Sequence, residues 1–423
     1  MVKIEIKGVS FNFKSVKALE NVTAEIESGS FVGLLGPNGS GKTTLLKCLS
    51  GLLKPKIGSI YLDGKNLNVF SGNELAKIFS TVFTTAIETP QMEVFDIMAT
   101  ARHPWTGWLG ILNSKDITVI NEALEKLEIK DFIARQFNEL SDGQKQKVLI
   151  ARALAQEPKV LLLDEPAAHL DIKHQIEVLG VIKKITREKD LITIGALHDI
   201  NLAALFCDFI ILLNKGKIVS IGPTESVLTS ENIEKVFNIR VIIKKHPITN
   251  SIYIMPIYTE EFKTVQPKTI TIHVICGGGT GISLMKILME HGYKVTAGVL
   301  NILDTDYEGA IMLGIDIVSE APFSPITNES YRANLKKIEN ADIVILTNIP
   351  FGYGNIKNLE ASLIALKKGK TVIVIEENPI EERDFTGGNA QVLYRRLKEE
   401  GAIFVNNCKQ ILHVIEKIKR AKE

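Results

Sequence analysis

The stretch Gly36, Pro37, Asn38, Gly39, Ser40, Gly41, Lys42, Thr43, Thr44 constrains this chain more than any other, because its spacing, G-x-x-x-x-G-K-[ST], is that of a phosphate cradle. It follows the apolar run Phe31, Val32, Gly33, Leu34, Leu35, which reads as a buried parallel strand, the context the motif requires. Glycines let the backbone curl so that successive N–H groups point inward at an anion. A helix predicted to begin near Lys42 adds the positive end of its dipole. In that setting Lys42 reaches the β- and γ-phosphates of a nucleotide and the Thr43 hydroxyl joins a Mg²⁺ shell.

A chain of 423 residues implies two or three domains with sizeable cores. Its 50 Lys and Arg balance 49 Asp and Glu, so bulk charge argues against a nucleic-acid partner. Cys48, Cys207, Cys276 and Cys408 stand apart with no C-x-x-C pair, as small buried hydrophobes in a reducing compartment do. Met1 to Gly8 alternates charge with isoleucine and valine, unlike a signal peptide. No run approaches the length of a membrane span, so a membrane role is expected to come through a partner.

Val2 to Ser30 alternates in short runs, which predicts an antiparallel β layer ahead of the cradle. Within it, Phe13 is either one face of a half-buried strand or a ring stacked on adenine. Residues from about Asn73 to Lys130 read mostly as helices, a helical insertion into an α/β core, punctuated at Pro90 and at His103, Pro104, Trp105. A helix is expected from Leu140, Ser141, Asp142, Gly143, Gln144 through Ala155. Val160 to Leu163 then reads as a strand buried on both faces and ending in Asp164 and Glu165, where ligands bind in open α/β sheets. Asp164 is a hard oxygen donor suited to Mg²⁺, and Glu165 can polarise an attacking water. A further strand, Leu191 to Ala196, leads to His198.

In this order the motifs of residues 2 to 257 resemble the ATP-binding subunit of an ABC transporter, a P-loop NTPase. Gly36 to Thr43 looks like its Walker A loop, Leu140 to Gln144 its signature, and Val160 to Glu165 its Walker B. Leu170 and Asp171 look like the D-loop, His198 like the switch histidine and Phe13 like the adenine-stacking aromatic. The resemblance implies a homodimer packed head to tail, with ATP between the Walker A loop of one copy and Ser141 and Gly143 of the other, Gln144 and Asp171 beside them. It implies Glu165 as general base, His198 on the γ-phosphate, and Thr43 and Asp164 on Mg²⁺. It also implies a polytopic membrane permease, an indirectly coupled substrate-binding protein, and a cytoplasmic chain peripheral at the inner face of the membrane. Two departures stand out: Asp142 replaces the usual glycine of the signature, and Thr84 and Thr85 follow Ser80 to Phe83 where a glutamine is expected.

Ala101 to Trp108 and Gly222 to Glu225 are similar to segments of importers of iron-siderophore, haem and cobalamin type. The tryptophans either pack into their own core or belong to a partner surface between about Thr84 and Trp108, with Arg102 on it. Alternatives are a soluble ABC ATPase uncoupled from transport, or an ATPase half regulating an enzymatic C-terminal domain.

Residues 1–258 are the expected ATPase domain, 259–267 a linker, and 268–423 a doubly wound Rossmann-like α/β domain with a regulatory role. Strands are expected at 270–276, 294–299, 315–318, 342–347, 371–376 and 402–405. After the first of them, Gly277, Gly278, Gly279, Thr280, Gly281 would suit N–H groups facing an anion, or form a tight turn with no ligand. Asn301, Asp304, Asp306 and Asn348 fall at strand ends where a phosphate or ribose-like ligand would sit.

Overall fold

The computed structural model describes residues 2–83, 91–168, 170–246, 250–257 and 268–422. Thr84 and Thr85, and the expected linker at 259–267, lie outside the described residues. The chain divides into two compact units, Met1–Ile257 and Tyr258–Glu423.

The first unit carries strands β1 (Lys3–Phe13), β2 (Val16–Glu27), β3 (Phe31–Leu35), β4 (Ile57–Leu62), β5 (Lys65–Asn66), β6 (Phe79–Val82), β7 (Val160–Asp164), β8 (Ile192–Ala196), β9 (Phe209–Asn214), β10 (Lys217–Pro223), β11 (Val241–Lys245) and β12 (Ile252–Pro256). Its helices are α1 (Lys42–Leu49), α2 (Gly72–Ile78), α3 (Val94–Thr100), α4 (Ser114–Lys126), α5 (Asp142–Ala155), α6 (Ile172–Glu188), α7 (Ile200–Phe206), α8 (Thr224–Val227) and α9 (Ser230–Phe237).

Two sheets are stacked by side-chain alternation. In the order β10-β9-β3-β8-β7-β6, all neighbours but β10 run parallel. Val32, Leu34, Leu162, Ile194 and Ile211 face one way, packing with α1 and with Ile4, Ile6 and Val22 of the antiparallel layer β2-β1-β4-β5. Phe31, Leu35, Leu161, Leu163 and Leu212 face the other way, against α3 to α7. Burial on both faces is why these strands are continuous apolar runs. β6 is a strand that the helical reading of 73–130 passes over.

The hairpin β11–β12 also lies beyond the sequence reading. It is fastened to α7 by one amide: Asn201 Nδ2 donates to Ile254 O at 3.1 Å, and Ile254 N donates to Asn201 Oδ1 at 2.7 Å.

In the second unit, β13 (Thr271–Ile275), β14 (Lys294–Asn301), β15 (Asp316–Glu320), β16 (Ile343–Leu346), β17 (Thr371–Ile375) and β18 (Ile403–Val405) form an all-parallel sheet ordered β15-β14-β13-β16-β17-β18. That order reverses between β14 and β16, which marks the switch point of a doubly wound fold. Helices α10 (Ile282–Glu290), α11 (Thr305–Met312), α12 (Asn328–Glu339), α13 (Ile356–Lys367), α14 (Ile380–Arg383), α15 (Asn389–Glu399) and α16 (Ile411–Lys422) cover it. Ile272, Val274 and Ile345 pack with α10, α11 and α16, whereas Ile275, Val344 and Leu346 pack with α12, α13 and α15.

One expectation is corrected within the helical insertion. Arg102 is no surface residue: it is only 2% exposed. Its guanidinium donates to Asp116 at 2.8 Å, to Ala155 O at 2.7 Å and to Glu157 at 2.9 Å, joining α3, α4 and the end of α5. Trp105 stacks over it at 5.5 Å and donates its indole N–H to Gln156 O, so this tryptophan is structural. Trp108 is 96% exposed.

Removing one partner of a buried ion pair leaves an uncompensated charge and costs about 3–5 kcal/mol. Arg102→Ala is therefore expected to lower the melting temperature of the full chain sharply, with Arg102→Met combined with Asp116→Leu recovering most of the loss. A wild-type melting temperature in Arg102→Ala would contradict this account.

Candidate functional site

The cradle is shaped by its surroundings. Gly36 (φ 151), Gly39 (φ 77) and Gly41 (φ 107) all lie at positive φ. A Cβ on Gly36 would sit 2.1 Å from Leu213 O of β9, and one on Gly41 would sit 2.6 Å from Ala18 O of β2. Both sheets thus close on the loop backbone, and Gly216 N ties it further by donating to Ser40 O at 3.0 Å.

Within the loop, Lys42 is almost fully buried and its ammonium donates to Gly36 O at 2.7 Å and Pro37 O at 3.2 Å. Burial holds its pKa below the usual lysine value. The Ser40 hydroxyl is buried with no hydrogen-bond partner, an orphan polar atom inside the cradle. A cationic side chain on exchangeable carbonyl partners, an unpaired hydroxyl and N–H groups at a helix start fit a phosphate chain.

Thr43, on the first turn of α1, donates its hydroxyl to Asp164 Oδ1 at 3.1 Å, crossing to the end of β7. Burial raises the Asp164 pKa, with the neighbouring Glu165 charge adding to it and the Thr43 hydrogen bond opposing it. These two hard oxygen donors fit a Mg²⁺ that keeps several waters. Glu165 sits in left-handed backbone (φ 54), and its N–H donates to Ala196 O of β8. Its carboxylate is bonded to His198 Nε2. Glu165 and His198 line one cleft with Gln175 and Asp199. Lys42, Thr43, Asp164, Glu165 and His198 thereby meet at the carboxyl ends of β3, β7 and β8, the ligand side of a parallel sheet.

The remaining candidates form a second cluster. Ser141 caps α5, accepting from Gln144 N while the Gln144 side chain accepts from Ser141 N. Gly143 lies against the His174 ring and Leu170. Asp171 caps α6 and meets His174 Nδ1 at 2.8 Å; hydrogen bonding from the His174 backbone holds its carboxyl below the usual range. His174 is a member that the sequence reading misses, although its spacing from Asp171 is that of an N-cap pair. Asp142 is exposed and faces Lys145 at 4.0 Å. Phe13 is half exposed at the end of β1, edge-on to Phe11.

In the second unit, N–H groups of the Gly277 to Gly281 turn are partly taken up within the chain. Gly278 N donates to the Asp304 carboxylate at 2.9 Å, and Gly281 N and Ile282 N donate to Asp306 at 3.0 Å. The chain's own carboxylates occupy donors that a phosphate would need, and Asp306 is wholly buried. Asn301 donates to Ala321 O and Ser324 O, Asn348 bridges to Asn378, and Thr280 pairs with Thr347. These polar groups fasten strand-end loops together and do not converge on a phosphate.

A family model described as ABC transporter matches residues 19–168, and one described as MJ0874 family matches residues 295–412. An uncharacterized ABC transporter ATP-binding protein of Methanocaldococcus jannaschii is 36% identical over 297 residues, covering 70% of this chain and 99% of that protein. A cobalamin import ATP-binding protein of Halobacterium salinarum is 32% identical over 342 residues, covering 81% of this chain and 85% of its own. An inward-facing structure assigned to a metal-chelate type ABC transporter aligns with TM-score 0.54 at 26% identity, over 61% of this chain and 98% of that one.

The packing around the cradle separates its glycines. At Gly36 an added methyl collides with a strand carbonyl, whereas at Gly39 nothing lies within 4 Å. Gly39→Ala is expected to cost only the backbone term, about 1 kcal/mol, and Gly36→Ala to lower the nucleotide-free melting temperature far more. Equal losses would show that the loop is not held by β9.

Proposed function

This chain belongs to the family of ABC transporter ATP-binding proteins, and we propose that it hydrolyses ATP to power an importer of metal chelates of iron-siderophore, haem or cobalamin type. The observation that carries the mechanism is the bonded set at the strand ends: Lys42 beside Thr43–Asp164 and Glu165–His198. The substrate class is supported by the cobalamin import relative and the metal-chelate type structure.

In this reading Lys42 exchanges the Gly36 and Pro37 carbonyls for β- and γ-phosphate oxygens, and the Ser40 hydroxyl gains a partner. Thr43 and Asp164 hold Mg²⁺, which neutralises developing phosphate charge when bound. Glu165 takes the proton of the attacking water, and His198 orients Glu165 and donates to the γ-phosphate. Phe13 supplies a half-exposed ring for adenine.

The signature cluster lies against Leu170 and His174 at the start of α6, and this supports a homodimer in which Ser141, Gly143 and Gln144 complete the partner's site beside Asp171. Among the described residues no helix is long and apolar enough to cross a membrane, so the importer reading requires a separate permease, with the chain peripheral to the bilayer. A cleft of ≈ 370 Å³ lined by Asn73, His103, Pro104 and Trp108, with Leu109 and Ile111 exposed nearby, suits a permease segment. A substrate-binding protein would act through that permease. Because the cluster is complete within residues 1–258, we take 268–423 as regulatory.

Glu165→Gln is expected to bind ATP, trap a dimer and lose about 10²- to 10⁴-fold in turnover. Lys42→Ala should instead lose nucleotide affinity. Both are read by ATPase rate and nucleotide titration in the permease complex; parental turnover in Glu165→Gln would remove it as the base.

A further inference from the structure

Four consecutive strand-end loops of the second unit are joined into one surface. Asn301 at the end of β14 donates to Ala321 O and Ser324 O after β15. Ile326 N donates to Gly354 O after β16, and Phe351 N and Phe385 N bond to Arg383 O and Phe351 O respectively, bringing in the loop after β17.

Each loop presents at least one large apolar side chain to solvent: Leu303 with Ile302 beside it, Phe323, Tyr353 and Phe385. Phe323 is 94% exposed, so it projects from the surface and lines no pocket. Leu303 (φ 78) and Phe323 (φ 55) moreover sit in left-handed backbone, which is strained for a bulky side chain. Strain together with exposure is doubly unfavourable for the isolated fold, and strained positions of this kind gather at binding sites. Large apolar side chains exposed on loops that are bonded to one another point the same way.

Charge selects the occupant. Asp304, Glu376, Glu377 and Asp384 lie on these loops, with Glu320 at the end of β15 and Glu381 and Glu382 on α14, against Arg383 as the one basic residue there. Arg383 is buried, donating to Asn378 O, Ile349 O and the Tyr394 hydroxyl. Lys357 at the start of α13 is bonded to Ile326 O and Asn328. An anionic ligand or anionic lipid surface is therefore disfavoured, and a second copy would bring the same carboxylates face to face. Cytoplasmic loops of membrane proteins carry an excess of Lys and Arg.

We propose that this apolar, carboxylate-flanked rim docks a basic cytoplasmic segment of the membrane permease, a contact separate from the cleft beside Trp108. The inference rests on the importer reading, so its test must fail separately from that reading. The full chain is co-expressed with a candidate importer permease from its source genome, carrying the photo-crosslinker p-benzoylphenylalanine at Phe323 or, in parallel, at Trp108. Both are expected to give permease adducts on illumination of membranes. The Phe323 adduct should map to a Lys- and Arg-rich loop and fall about tenfold when Tyr353→Ser and Phe385→Ser are added, while the Trp108 adduct persists. A Trp108 adduct with no Phe323 adduct, or a Phe323 adduct to lipid or to a second copy of this chain, overturns the docking and leaves the importer reading intact. No adduct at either position overturns both.

Discussion

The catalytic geometry depends on two carbonyl oxygens. Leu213 O in β9 and Ala18 O in β2 leave room beside the cradle only for the hydrogen of a glycine. One belongs to the parallel sheet and the other to the antiparallel layer, so the loop takes its curl from the way the two sheets close on it. Thr43 then reaches Asp164 across the sheet, and the Glu165 backbone is pinned to β8. Placement on a helix start and at the ends of rigid strands is what holds such groups within the tolerance that phosphoryl transfer needs.

How legible this is in the sequence follows from the physics of each element. Phe31–Leu35 and Val160–Leu163 are buried on both faces, so their runs are apolar and stand out. Four strands of the second unit, β13, β14, β16 and β17, are likewise buried along most of their length and stand out. β6 is short, with Ser80 and Thr81 at its centre, and its partner β7 lies far along the chain, so no local pattern announces it. Lysines at 244 and 245 blur the β11–β12 hairpin in the same way.

Misreadings of the site concern polar groups whose partners are distant. Arg102 reads as surface because a guanidinium usually is; only the fold brings Asp116 and the Ala155 carbonyl around it. Asp304 and Asp306 follow a glycine-rich turn as ligand groups would, yet their carboxylates fill that turn's own N–H donors. A sequence shows donors and acceptors but not which of them are already matched.

The amide of Asn201 has a structural meaning of its own. It sits on α7, directly after the histidine that meets Glu165, and it grips β12 through both its oxygen and its nitrogen. The last strand of the first unit is therefore a buttress for the helix that follows His198. A version of this unit ended after α9, where the parallel sheet is already complete, would keep every nucleotide-binding motif and lose the brace behind His198.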